Sequence, residues 1–248
     1  MMMPARVRRI AKSVERTLRK RGVVGSAIHV ANAVRERLKG SHAPPHAPVE
    51  SDVAEDIDFD TKYNVSTGGE IPQTDLDVKD KNWIHGSAYV PTSPVDFDEV
   101  LKDLELDLPQ TTFIDLGSGK GRVLLMAAAL PFKRIVGVEF SPSLADVSRD
   151  NIRRFTGPKK CTDLSVETMD ATKYPLPDGP LVVFMYHPFD EKIMALVEQS
   201  LSRSVGEKPD RRILVVYFKP VHREVWDASK SFTKKREERL FVIYESRR

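Results

Sequence analysis

Residues 111–129, TFIDLGSGKGRVLLMAAAL, run from a short apolar strand through a glycine cluster into an alanine- and leucine-rich helix. The chain then continues in the same alternation. Apolar β-branched runs predict strands near 111–116, 134–139, 163–168, 180–186 and 211–218. Helical spacing falls between them near 120–130, 142–155 and 189–204, with only a short turn after the third strand. Such alternation gives a parallel sheet covered on both faces, and ligands sit beyond the carboxyl ends of its strands, at the switch point. The ending, SFTKKREERLFVIYE (231–245), has no helix between its halves and predicts a closing hairpin that adds an antiparallel edge.

The 248 residues support one good core, so one α/β domain with an N-terminal extension is the simplest division. Composition and pattern divide the chain into four segments: a basic helical extension at 1–40, a Pro-rich and acidic linker at 41–59, a polar stretch with a lead-in helix at 60–107, and the main domain at 108–248. The lead-in helix is expected at 94–106, begun by Pro94 and carrying Val95, Phe97, Val100, Leu101 and Leu104.

The net charge of +3 hides an asymmetry: residues 1–40 carry eleven Lys and Arg against Glu15 and Glu36, so the rest of the chain is acidic. Apolar residues Val7, Ile10, Ala11, Val14 and Leu18 have helical spacing, Gly22 would end that helix, and a second basic helix is expected at 25–38. The pair reads either as a solvated cap or as an anchor for an anionic partner, an RNA or a membrane surface. A transit peptide is disfavoured by Glu15 and by the lack of serine enrichment.

Cys161 is the single cysteine, which excludes an internal disulfide and a multi-cysteine zinc site and points to a reducing compartment, the cytoplasm by default. His42 and His46 have ligand-like spacing, but the prolines between them prevent a helix, and no metal is expected. No apolar run approaches the ~20 residues of a membrane span.

The glycine turn discriminates among ligands. A P-loop needs Ser or Thr after Gly-Lys, whereas Lys120 is followed by Gly121. A dinucleotide fingerprint needs a third glycine where Arg122 stands. Asp115, two residues before Gly117, would aim negative charge at a pyrophosphate. It suits instead a ligand carrying an ammonium and a sulfonium. Glu139, ending the second strand, can accept both hydroxyls of a ribose, and Asp170 with Ala171 can meet an adenine.

Taken in order, DLGSGKG, VGVEFSP, MDA and VVFMYHPFD resemble the class I S-adenosylmethionine-dependent methyltransferases over residues 111–218. The resemblance implies a Rossmann-like doubly wound sheet of seven strands, mostly parallel with an antiparallel C-terminal strand, and S-adenosyl-L-methionine as cofactor. It implies that Asp115, Gly117, Ser118, Gly119 and Gly121 hold the methionine part, Glu139 the ribose, and Asp170 with Ala171 the adenine. Upstream, GSAYVPTSPVDFDEVLKDL (86–104) is similar to the lead-in of the non-SET protein-lysine methyltransferases, and to uncharacterised bacterial proteins sharing the GKGR turn. By that match 60–107 becomes a lid with its lead-in helix, Tyr89 and Thr92 closing over the cofactor and Pro91 fixing the turn.

Methyl transfer needs alignment, a desolvated pocket and, for a cationic amine, a route for a proton. The fourth strand ends in Tyr186-His187-Pro188-Phe189, where amine-methylating relatives carry Asn/Asp-Pro-Pro-aromatic. His187 could accept a hydrogen bond or a proton there, and Phe189 and Tyr186 could border a cation or a planar base. The expected catalytic residues are thus His187, Tyr89 and Phe189, with Tyr186 on the cofactor. His85, His222 and Lys219 could border the same mouth, but nothing in the sequence fixes them there. The reading is N-methylation of an amine such as a protein lysine. Its rivals are an RNA or small-molecule methyltransferase and a non-catalytic cofactor-fold scaffold.

Overall fold

The computed structural model describes residues 58–78, 85–101 and 104–247. The basic extension, most of the linker and their anchoring role lie outside the described residues. The linker expected to run to residue 59 gives way earlier, because residues 58–63 are already helical.

Seven strands form one sheet: β1 (Thr112–Leu116), β2 (Arg134–Glu139), β3 (Leu164–Thr168), β4 (Leu181–Tyr186), β5 (Ile213–Phe218), β6 (Phe232–Glu237) and β7 (Phe241–Ser246), in the order β3-β2-β1-β4-β5-β7-β6. The first five pair in parallel, and β7 is antiparallel to both neighbours. The helices are α1 (Pro94–Leu101), α2 (Arg122–Ala127), α3 (Pro142–Arg154), α4 (Glu191–Glu207) and α5 (Arg223–Asp227). All five expected parallel strands are present within two residues of their expected starts.

The terminal hairpin is placed differently from a simple added edge. β7 inserts between β5 and β6, so β6 forms the border of the sheet. Side-chain character explains the order. Phe241, Val242, Ile243 and Tyr244 are buried, whereas the Lys and Arg of β6, FTKKRE, are largely solvated and shield an open edge.

Period-2 alternation divides the core between two faces. In β1, Phe113 packs with Phe97 of α1, Leu124 of α2 and Ala145 of α3, while its neighbour Ile114 packs with Met194 and Val197 of α4 on the opposite face. Every residue of β1 is buried, as a strand covered on both sides requires. A row of aromatic rings underlies the carboxyl ends: Phe97 and Phe113 lie 6.0 and 6.2 Å from Phe184, and Phe184 lies 6.2 Å from Phe218. Such rings contribute about 0.5–1.5 kcal/mol per pair beyond their buried area. They make a rigid floor.

The lead-in helix stops at Leu101 rather than reaching residue 106, and Leu104 and Leu106 pack against the core from outside any helix. α2 starts only at Arg122, because the residues before it are held in left-handed turns. No helix among the described residues is long and apolar enough to cross a membrane.

Candidate active site

A cleft of about 1110 Å³, its open mouth included, lies at the carboxyl ends of β1, β2 and β4. Its wall begins at the glycine turn, where the N–H groups of Gly117 and Ser118 both donate to the Val138 carbonyl, at 2.8 and 3.2 Å. The turn requires glycine for two reasons. Gly117 and Gly119 have φ of +83° and +53°, in the left-handed region. A Cβ on Gly117 would stand 2.5 Å from Pro188, and one on Gly119 only 2.2 Å from the ring of Tyr89. The absent side chains let the end of β4 and the lid approach the turn.

Asp115 and Glu139 lie on adjacent strands and are 3% and 7% exposed. Burial, with Glu139 adding repulsion, pushes the Asp115 carboxyl well above its ordinary range. Burial also raises Glu139, opposed by the backbone N–H groups that hydrogen-bond to it. Glu139 Oε2 accepts from Gly119 N–H at 2.7 Å and Oε1 from Ser141 N–H at 2.8 Å. The carboxylate therefore braces the glycine turn while each oxygen keeps a lone pair for a ligand. No described residue donates a hydrogen bond to the Asp115 side chain or forms an ion pair with either acid. Ser118 also lines the cleft, and its buried Oγ has no hydrogen-bond partner.

Asp170 caps the short helical turn after β3, its Oδ1 accepting from Thr172 N–H at 2.9 Å and Thr172 Oγ1 at 2.7 Å. Ala171 follows it into the cleft wall.

The lid is tied down by contacts between residues distant in the chain. Tyr89 pairs with Ile71 through two backbone hydrogen bonds of 2.9 and 3.0 Å, and its hydroxyl donates to the Thr67 carbonyl at 2.6 Å. Lys120 Nζ sits 5.0 Å over the Tyr89 ring and donates to Gly68 O at 2.5 Å. Arg122 is buried, donates from Nε to Thr67 Oγ1 at 2.7 Å, and meets Asp60 at 3.6 Å. Asp60 in turn accepts from the backbone of Thr67 and Gly68 at 2.7 and 2.8 Å. Asn151 reaches over from α3, accepting from Ser66 N–H at 2.8 Å and donating to Ser66 O and Lys120 O. One signal was available in the sequence: an arginine opening the apolar run RVLLMA has to find a buried partner. The partner, 55 residues or more upstream, could not be named without the fold.

At the other end of the cleft, residues 85–87 run antiparallel to 188–190. Asp190 N–H donates to His85 O at 2.9 Å, Ser87 N–H donates to Pro188 O at 3.1 Å, and Gly86 bridges Phe189. Tyr186 stacks on Phe218 with centroids 5.3 Å apart, and Lys219 Nζ lies 5.1 Å from the Tyr186 ring.

The cleft gathers Tyr89, Thr92, Asp115, Gly117, Ser118 and Gly119 with Glu139, Asp170, Ala171, Tyr186 and Phe189. Two expected site residues are not in its lining. Gly121 instead lets α2 start against Ser148 of α3. His187 adopts φ +38°, with Nδ1 3.4 Å from the Tyr217 hydroxyl and its ring 5.6 Å from His222. His85, which sequence alone could not place, does line the cleft. Away from that lining, His222 lies with Glu191 and Glu224, a surface trio whose ligand-type atoms fall within 4.8 Å of one another, the two glutamates exposed.

Residues 81–171 match the family model described as histone methylation protein DOT1, less than half of the chain. The match covers Tyr89 and the three strand-end acids and stops before Tyr186. Among solved structures, a predicted N6-adenine-specific DNA methylase from Listeria monocytogenes is similar at 13% identity, with TM-score 0.47, over 63% of this chain and 51% of that one. Magnesium protoporphyrin IX methyltransferase from Synechocystis, solved with bound SAM, is similar at 16% identity and TM-score 0.44, over 62% and 78%. Ribosomal protein L11 methylase from Lactobacillus delbrueckii is similar at 17% identity and TM-score 0.41, over 62% and 76%. This chain spans about half the length of the first of these. No curated protein matches the sequence. The strand order, with β7 alone reversed, is that of the class I methyltransferase fold.

Proposed function

We propose that this chain is an S-adenosylmethionine-dependent methyltransferase that N-methylates an amine, a protein lysine being the favoured acceptor. One observation carries the cofactor assignment: two buried carboxylates, Asp115 and Glu139, face one cleft from adjacent strands, and no cation among the described residues pairs with either. Burying ionised carboxylates is costly without compensation. A ligand that brings an ammonium, a sulfonium and two hydroxyls supplies it.

Asp115 would receive the ammonium and Glu139 the ribose hydroxyls, while Asp170 and Ala171 would meet the adenine. When bound, the cofactor supplies an electrophilic methyl group. The chain supplies position: the glycine turn holds the methionine end, the Tyr89 lid excludes water, and Tyr186 and Phe189 border the acceptor's approach. An aromatic border suits a cationic side chain. The family-model match to a histone methylation protein supports a lysine, although it ends short of the acceptor border.

Calorimetry with S-adenosylmethionine tests the cofactor assignment; absence of binding would sink it. Transfer of a tritiated methyl group to core histones, total RNA and a metabolite fraction tests the acceptor. Label in protein, released as methyllysine on hydrolysis, is the expected result. Label confined to RNA or small molecules would refute the lysine reading, and cofactor binding with no transfer to any fraction would favour a scaffold.

A further inference from the structure

We propose that His85 is the proton acceptor of this reaction and that Asp190 is its positioning residue. The inference rests on the methyltransferase reading above, and its geometry stands apart from the cofactor's. The His85 imidazole is 18% exposed and lines the cleft beside Tyr89, Tyr186 and Phe189. Its Nδ1 is hydrogen-bonded to Asp190 Oδ2. Asp190 is fixed twice, since it caps α4 by accepting from Ile193 N–H at 3.1 Å and its own N–H donates to the His85 carbonyl at 2.9 Å. The short antiparallel pairing of 85–87 with 188–190 sets both side chains against the end of β4.

An ionised carboxylate only accepts hydrogen bonds, so Nδ1 has to be the donor. In the neutral ring the lone pair is then on Nε2, the arrangement in which an Asp–His pair serves as a general base. The rival groups are worse placed. His187 is not in the cleft lining, and burial holds the Tyr186 hydroxyl above its ordinary range, only partly offset by Lys219. Asp115, Glu139 and Asp170 belong to the cofactor end.

The acceptor class follows. A lone-pair nucleophile such as a thioether needs no base, whereas a protonated primary amine does. Burial and the nearby sulfonium charge both disfavour an ammonium there and ease its loss of a proton. The N–H proton passes to His85 Nε2, and the nitrogen lone pair forms the C–N bond. The electron pair of the broken S–CH₃ bond stays on sulfur, giving S-adenosylhomocysteine. The imidazolium then returns its proton to solvent.

The test uses the full chain. Long-range ¹H–¹⁵N spectra of histidine-labelled protein, assigned with His85→Gln, should show a protonated Nδ1 and an unprotonated Nε2 that shifts when S-adenosylmethionine is added. In Asp190→Asn that tautomer preference should be lost. A protonated Nε2 in the neutral ring, or no response to the cofactor, would overturn the proposal even if the acceptor is something other than histone. With core histones as probe, His85→Gln should transfer at least 100-fold more slowly at saturating cofactor, with cofactor affinity within threefold. Imidazole should partly restore His85→Gly. A His85→Gln rate within threefold of wild type would also overturn it. Absence of cofactor binding by the wild type would instead refute the methyltransferase reading.

Discussion

Replacing Asp115 by Asn should move stability and cofactor affinity in opposite directions. The site is buried, Asp115 and Glu139 repel, and no described residue donates a hydrogen bond to the Asp115 side chain. Its folded pKa is therefore raised above the unfolded value of 3.8. The sign follows: above the raised folded range both states are ionised and the fold bears the whole cost, whereas below the ordinary carboxylate range both are protonated and the cost vanishes. Each unit of that rise amounts to about 1.4 kcal/mol, or a melting temperature about 3–6 °C lower for a domain of this size. Asp115→Asn should remove that cost, so the ligand-free variant melts higher at pH 7.5 and loses the advantage as pH falls toward 4. On the proposed binding mode the same change would delete a charge-assisted hydrogen bond to the ligand ammonium, worth about 1.5–3 kcal/mol, so affinity should fall about 10- to 150-fold. Wild-type affinity should also weaken as pH falls through the raised Asp115 range, and Asp115→Asn should flatten that dependence. Calorimetry and thermal melts across pH 5–8 measure both. Unchanged affinity, or a variant that melts lower at pH 7.5, would refute the reasoning.

Gly119→Ala places a methyl 2.2 Å from the Tyr89 ring at a φ of +53°, so cofactor affinity should drop at least tenfold. Tyr89→Ala should relieve part of this in the double variant, whereas strict additivity in a calorimetric cycle would argue that ring and turn do not meet. Asn151→Ala removes the partner of the Ser66 N–H and of two carbonyl acceptors, all three bonds being part-buried. It should cost about 2–4 kcal/mol and speed proteolysis within 58–69 in a timed digest. His187→Gly relieves a left-handed residue, about 1 kcal/mol, at a side chain outside the cleft lining. Its transfer rate should stay within threefold of wild type in single-turnover assays.

Local pattern was enough to read the order of strands and helices along the chain and the acidic polarity of the strand ends. Strand periodicity and turn glycines are local properties, so β1 to β5 could be placed within two residues, and Asp115, Glu139 and Asp170 were visible because each follows an apolar run that has to end at the same edge of a parallel sheet. Long-range pairing was not legible. That β7 slips between β5 and β6 depends on which strand tolerates the open edge. That Arg122 meets Asp60 and Thr67, and that Asn151 clamps Ser66, depends on buried polar groups finding partners distant in the chain. The same reason separates the histidines. In the sequence His187 stands at the motif position and His85 in an unremarkable loop. In the fold, a left-handed backbone at His187 carries its ring to Tyr217 and His222, and pairing of 85–87 with 188–190 brings His85 to the cleft. Local pattern fixes what a strand end carries, and only the tertiary packing decides which side chain faces the ligand.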